Sequence, residues 1–102
     1  MRDIVVYDIQ EYDGVDGEYI GRGSILGNPF YIGRDGDRDK VIDKYETWLR
    51  SKGKDSAEQK ELHRLMQKAS YTELHLLCHC APRRCHGDII RKVIEEMAVE
   101  EK

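Results

Sequence analysis

The residue types able to do chemistry crowd into one stretch, Cys78-His79-Cys80-Ala81-Pro82-Arg83-Arg84-Cys85-His86-Gly87-Asp88. It holds all three cysteines of the chain, two of its four histidines and two adjacent arginines. Three chemistries fit these residues. The first is a metal centre. Cys78, Cys80, Cys85 and His86 supply enough soft ligands for tetrahedral zinc, with His79 beside them. The C-x-C-x4-C-H spacing differs from standard zinc modules, which pair C-x-x-C with a second pair farther along the chain. Cys85 and His86 are also adjacent, and adjacent side chains on a helix diverge by about 100°.

The second chemistry is a reactive thiol. Cys85 falls near a predicted helix start, beside Arg83, Arg84 and His86, where amides and cations stabilise a thiolate and depress its pKa. Cys85 would be the nucleophile, with His86 or His79 as its acid-base partner. The third is anion binding. A strand end, a turn with Pro82, two arginines and the amides of a helix start make a cradle for phosphate or carboxylate, and Gly87 lets a ligand approach the backbone. Packing is the alternative to all three. Cysteine on an apolar strand behaves as a small hydrophobe, which covers Cys78 and Cys80, and His86 and Asp88 suit a helix cap.

The elements that must position this stretch can be read from periodicity. Thr72 to Cys80 is the clearest strand. Leu74, Leu76, Cys78 and Cys80 share one face, and His75, Leu77 and His79 the other, so a central strand is expected. Cys78 and Cys80 then lie about 7 Å apart on one face, a poor geometry for a disulfide. Ile89, Ile90, Val93, Ile94, Met97 and Ala98 form the apolar stripe of a closing helix. Ile4 to Ile9 reads as a buried strand, and Glu18 to Arg22 as a short one. A helix capped by Asp37 carries Val41, Ile42, Tyr45, Trp48 and Leu49 on one side. A second, capped by Asp55 or Ser56, carries Leu62, Leu65, Met66 and Ala69; it is less apolar and is expected at the periphery. The order β-β-α-α-β-α predicts a small single-domain α/β sandwich of two or three layers spanning residues 1–102.

A second unusual stretch precedes the first helix: Tyr19-Ile20-Gly21-Arg22-Gly23-Ser24, then Gly27-Asn28-Pro29-Phe30-Tyr31. It matches neither the P-loop nor the G-x-G-x-x-G pattern. Arg22 is suited to hold a phosphate, Ser24 and Asn28 to read polar edges, and Tyr19, Phe30 and Tyr31 to stack. Gly23 relaxes the backbone between them. A loop this apolar must pack, and it is expected to fold over the domain as a pocket wall.

Composition narrows the partners. The net charge of -3 excludes nonspecific nucleic-acid binding as the main task, since backbone binding needs a basic surface. No apolar run reaches the length of a membrane span, and the N-terminus lacks the apolar core of a signal peptide. The odd, clustered cysteines do not read as staples, so a cytoplasmic location is expected. A core this small would gain from association, which brings in a homodimer as a partner.

The two stretches together resemble a known family. Y-I-G-R-G-S-x-x-G-N-P-F, then R-D-x-V-I-x-x-Y-x-x-W-L, then L-x-C-x-C-A-P-x-x-C-H-G-D-x-I is similar to the domain of unknown function 4326 family, which occurs in phages and bacteria. The pattern spans roughly residues 18–95. The family often has an aromatic residue between the first two cysteines, where this chain has His79. The resemblance implies a small α/β domain and brings no established reaction.

Two functions are therefore expected as alternatives. In the first, the Tyr19–Phe30 loop and the Cys80–Asp88 turn face each other across a pocket that binds a nucleotide-like or phosphorylated small molecule. Its ligand-binding residues are Tyr19, Arg22, Gly23, Ser24, Asn28, Phe30, Arg83, Arg84, Cys85, His86 and Gly87. A phage protein of this kind, acting in the host cytoplasm, would sequester a nucleotide signal of host defence. In the second, Cys85 and His86, or a zinc on Cys78, Cys80, Cys85 and His86, act as an enzyme on a phosphorylated or nucleoside substrate.

Overall fold

Three parallel strands carry three helices. Ile4–Asp8, Glu18–Tyr19 and Leu74–Cys78 form β1, β2 and β3, and Arg38–Arg50, Ala57–Ala69 and His86–Glu100 form α1, α2 and α3. The computed structural model describes residues 1–79 and 83–100. Cys80, Ala81 and Pro82, and with them the Cys80 ligand of the zinc reading, lie outside the described residues. β3 is central, with β1 and β2 on either side. Val6 pairs with Leu76, Asp8 with Cys78, and Tyr19 with Leu77.

The helix starts follow from the expected caps. The Asp37 carboxylate accepts from the amide of Lys40 at 2.9 Å, and the Ser56 hydroxyl from that of Gln59 at 3.1 Å. One face of the sheet meets the helices. Ile4, Leu74, Leu76 and Cys78 join Ile42, Tyr45, Leu49, Ile90 and Ile94 in the core. α2 is not peripheral: Leu62, Leu65 and Ala69 are fully buried, and the helix packs on α3 and β3. Its apolar positions are few but form one stripe, and burying each leucine contributes about 1.5–3 kcal/mol.

β2 is only two residues long, so side chains fix it. Glu18 accepts from Lys68 at 2.6 Å and Arg64 at 2.7 Å, both on α2. Burial pushes the Glu18 carboxyl up, but these two cations outweigh it and hold it below its usual value. The other sheet face is covered by residues 9–17, which cross from β1 to β2 without a helix. Tyr12 lies on it, its hydroxyl 2.7 Å from His75 Nδ1, while His75 Nε2 is 2.9 Å from Glu73. Gly17 lies against Leu77 so closely that a Cβ would come within 2.4 Å of that side chain. The sandwich thus has one helical layer, with an aromatic strap in place of a second. No helix among the described residues is long and apolar enough to cross a membrane.

Candidate ligand pocket

A cavity of about 260 Å³ opens at the carboxyl ends of β2 and β3, where parallel α/β sheets commonly place their ligands. The 19–32 loop gives it Tyr19, Gly21, Arg22, Asn28 and Ile32. The first turns of α1 give Arg38, Val41 and Ile42. The β3–α3 corner gives His79, Cys85 and His86.

The loop wall is held from within. Ile20 and Leu26 are 2% and 1% exposed and anchor it in the core. Tyr45, fully buried on α1, donates its hydroxyl to the Leu26 carbonyl at 2.6 Å. Burial pushes that phenol far above its ordinary pKa, so it remains a donor at physiological pH. Gly27 passes so close to Gly21 that a Cβ would come within 2.6 Å of its carbonyl oxygen. Arg22 reaches across the loop, donating to the carbonyls of Asn28 at 2.5 Å and Phe30 at 2.9 Å, with its guanidinium 3.9 Å from the Tyr31 ring centre. The wall is therefore shaped before any ligand arrives.

The Cys85 corner is built differently from the reactive-thiol expectation. Cys85 is 2% exposed, with its sulfur 3.3 Å from Cys78 Sγ. It caps α3: its sulfur accepts from the Gly87 amide at 3.3 Å, and the Asp88 carboxylate accepts from the Cys85 amide at 3.1 Å. This resembles a capping box, with a thiol in place of the hydroxyl and its bond made to the second helical amide rather than the third. The neighbouring Cys78 thiol, with burial second, pushes the Cys85 pKa far up rather than down. The arginines do not oppose this. Arg84 turns to α1 and pairs with Asp39 at 3.0 Å and Asp43 at 3.3 Å, and Arg83 is exposed.

His86 is 8% exposed, with Nε2 2.5 Å from the Ile20 carbonyl and its ring edge-on to Tyr45. A carbonyl only accepts, so Nε2 carries the proton. Burial lowers the ring's pKa, against the pull of the Ile20 carbonyl, and keeps it neutral. Nδ1 is then the unprotonated nitrogen.

Two of the zinc candidates, Cys78 and Cys85, lie side by side. Cys78 and Cys85 are 3.3 Å apart, near the roughly 3.7 Å separating two thiolates on one tetrahedral zinc. Among the described residues no group of three or more histidines, cysteines or carboxylates is placed to hold a metal.

Of the residues expected to bind a ligand, the cavity gathers Tyr19, Arg22, Asn28, Cys85 and His86. The others serve the fold or lie elsewhere. Ser24 donates to the Gly21 carbonyl at 2.6 Å, and Gly23 takes a positive φ of 90°. Phe30 lines a separate groove with Trp48. Arg83 and Arg84 are not in the cavity wall, and Gly87 is buried where a Cβ would meet Val6 at 2.9 Å. The expected ligand-binding set lacked six residues of the wall: Gly21, Ile32, Arg38, Val41, Ile42 and His79.

The charge of this cavity is distinctive. Among the described residues no carboxylate lines it. Arg22 bonds carbonyls, Arg38 donates to the Arg84 carbonyl at 3.2 Å, and neither pairs with a carboxylate among the described residues. A larger groove of about 600 Å³ runs between the helices past Arg50, Lys92 and Glu96. There Arg50 is paired with Glu46 and Glu96, and Lys92 with Glu46, while Lys52 lies over the Trp48 ring and Glu95, Glu96 and Glu100 add carboxylates to the lining, so that groove mixes both signs of charge.

These features define a small parallel-sheet α/β domain with an apolar-floored, cation-rimmed pocket at the strand ends. The chain belongs to the family described as Domain of unknown function (DUF4326), whose model matches residues 8–96. A search of curated proteins and of solved structures found no match.

Proposed function

We propose that this protein binds a nucleotide-like or phosphorylated small molecule in the cavity between the 19–32 loop and the β3–α3 corner. The supporting observation is two arginines that, among the described residues, have no carboxylate partner and line a pocket with no carboxylate in its wall, in a protein of net charge -3. Val41, Ile42 and Ile32 supply apolar surface for a ring, and Tyr19 and His79, edge to face at 6.0 Å, supply aromatic surface. Binding is favoured over thiol catalysis because the Cys85 thiol is buried and held protonated. Sequestration of a nucleotide signal is the biological role proposed with it, supported by the family's occurrence in phages.

The test is calorimetric titration with a panel of nucleotides and sugar phosphates, followed by chromatography of the ligand recovered after denaturation. At least one should bind below millimolar and be recovered intact. Arg38→Ala should weaken it about 10-fold or more, the worth of a charged hydrogen bond. No ligand tighter than millimolar, or unchanged affinity in Arg38→Ala, overturns the reading. A chemically altered ligand would turn it toward catalysis.

A further inference from the structure

The polar groups of the cavity wall go further than charge. The Phe30 amide donates to Asn28 Oδ1 at 2.9 Å, which fixes the orientation of that carboxamide. The Asn28 NH2 is left as a donor. His86 is fixed the opposite way: with Nε2–H committed to Ile20, its remaining nitrogen can only accept. Both residues line the cavity. Two lining residues thus carry polar groups, one an amide donor and the other a ring acceptor, beside the apolar Val41 and Ile42, a combination that suits the edge of a nucleobase, where amino or imino donors alternate with ring acceptors.

Size sets the other limit. Pockets that bury drug-sized ligands span roughly 300–1,000 Å³, and this one is about 260 Å³. It has room for one base with part of its ribose. Arg22 and Arg38 each retain guanidinium donors beyond those used on backbone carbonyls.

We infer that the pocket is a mononucleotide site: one base held by Asn28 and His86, and one phosphate held by Arg22 and Arg38. The inference rests on the binding reading above and sharpens it. A second nucleotide, as in a cyclic dinucleotide, would lie outside the cavity and gain nothing. His86 acts as a specificity residue by accepting, a role it keeps only while neutral.

Changing the ligand avoids disturbing the buried wall. Affinities are measured by calorimetry for adenosine, guanosine, cytidine and uridine monophosphates, ribose 5-phosphate, adenosine and cyclic di-adenosine monophosphate. At least one nucleoside monophosphate should bind about 10-fold or more tighter than ribose 5-phosphate and than adenosine. The cyclic dinucleotide should bind no tighter than the best mononucleotide. Ribose 5-phosphate binding as well as every mononucleotide would refute base reading and leave phosphate binding standing. A cyclic dinucleotide binding more than 10-fold tighter than any mononucleotide would refute the size limit. No binding by any of the seven compounds refutes the inference outright; the wider panel then decides whether the binding reading survives.

Discussion

Removing one oxygen atom tests how the pocket wall is held. Tyr45→Phe deletes the hydroxyl that donates to the Leu26 carbonyl and changes no other buried volume. Tyr45 is fully buried and Leu26 is 1% exposed, so water cannot readily replace the lost donor. No other hydrogen bond to that carbonyl is seen among the described residues. A buried acceptor left without a partner costs about 1–3 kcal/mol. For a domain of this size each kcal/mol moves Tm by about 4–8 °C, so a fall of about 10 °C is the central expectation. The assay is paired thermal and urea unfolding of wild type and variant. The urea slope should be unchanged, since the surface exposed on unfolding is the same. The variant should also bind its ligand more weakly, because the loop between Ile20 and Leu26 loses its tie to α1. A Tm within about 2 °C of wild type would refute the claim that this bond holds the wall.

Three other outcomes follow from the site. Gly27→Ala should destabilise by about 1–3 kcal/mol, since its Cβ would meet backbone, the Gly21 carbonyl at 2.6 Å, and backbone cannot turn aside; urea unfolding measures this. Cys85 in the native protein should be alkylated about 100-fold more slowly at neutral pH than in the denatured chain, because burial and the Cys78 thiol keep it protonated. Peptide mapping by mass spectrometry separates it from the other cysteines, and comparable rates would contradict the capping role. His86 has a folded pKa below its ordinary 6.5, so below that pH the unfolded chain binds a proton the folded one resists. Stability should therefore be full above about pH 6.5 and fall as pH drops from there toward the folded pKa. A Tm that stays flat or rises on acidification from pH 7 to 5.5, after comparison with His86→Gln, would count against a buried neutral ring.

Much of the fold was legible because local signals and tertiary demands agree in this chain. Leu74, Leu76 and Cys78 alternate as a central strand requires, and Asp37 and Ser56 stand three residues before the amides they cap. The 19–32 loop was expected to pack because it carries Ile25, Leu26, Phe30, Tyr31 and Ile32; Leu26 is buried, but Ile25, Tyr31 and Ile32 stay exposed, and the loop is anchored instead by Ile20 with Leu26. What could not be read were choices made by side chains between competing partners. Arg84 beside Cys85 looked like a thiolate partner, but Asp39 and Asp43 on α1 lie within reach and carry full charge. Cys85 looked reactive because helix amides and cations are visible in sequence, whereas the approach of Cys78 from a strand seven positions earlier is not. Arg22 was expected to wait for phosphate, yet it also straps its own loop. Arg38 was overlooked because only the fold brings the start of α1 to the sheet's carboxyl edge.

The central claim is that ligand enters the cavity at the strand ends and nowhere else. A titration of isotope-labelled protein with each of the four nucleoside monophosphates, followed by amide chemical shifts, tests it most directly. The account predicts saturable shifts at residues 19–22, 28–32, 38–42 and 85–87, whose midpoint moves to about 10-fold or more higher ligand concentration in Arg38→Ala. Shifts centred instead on the interhelical groove at residues 49–52 and 92–100, or none at millimolar ligand, would contradict it.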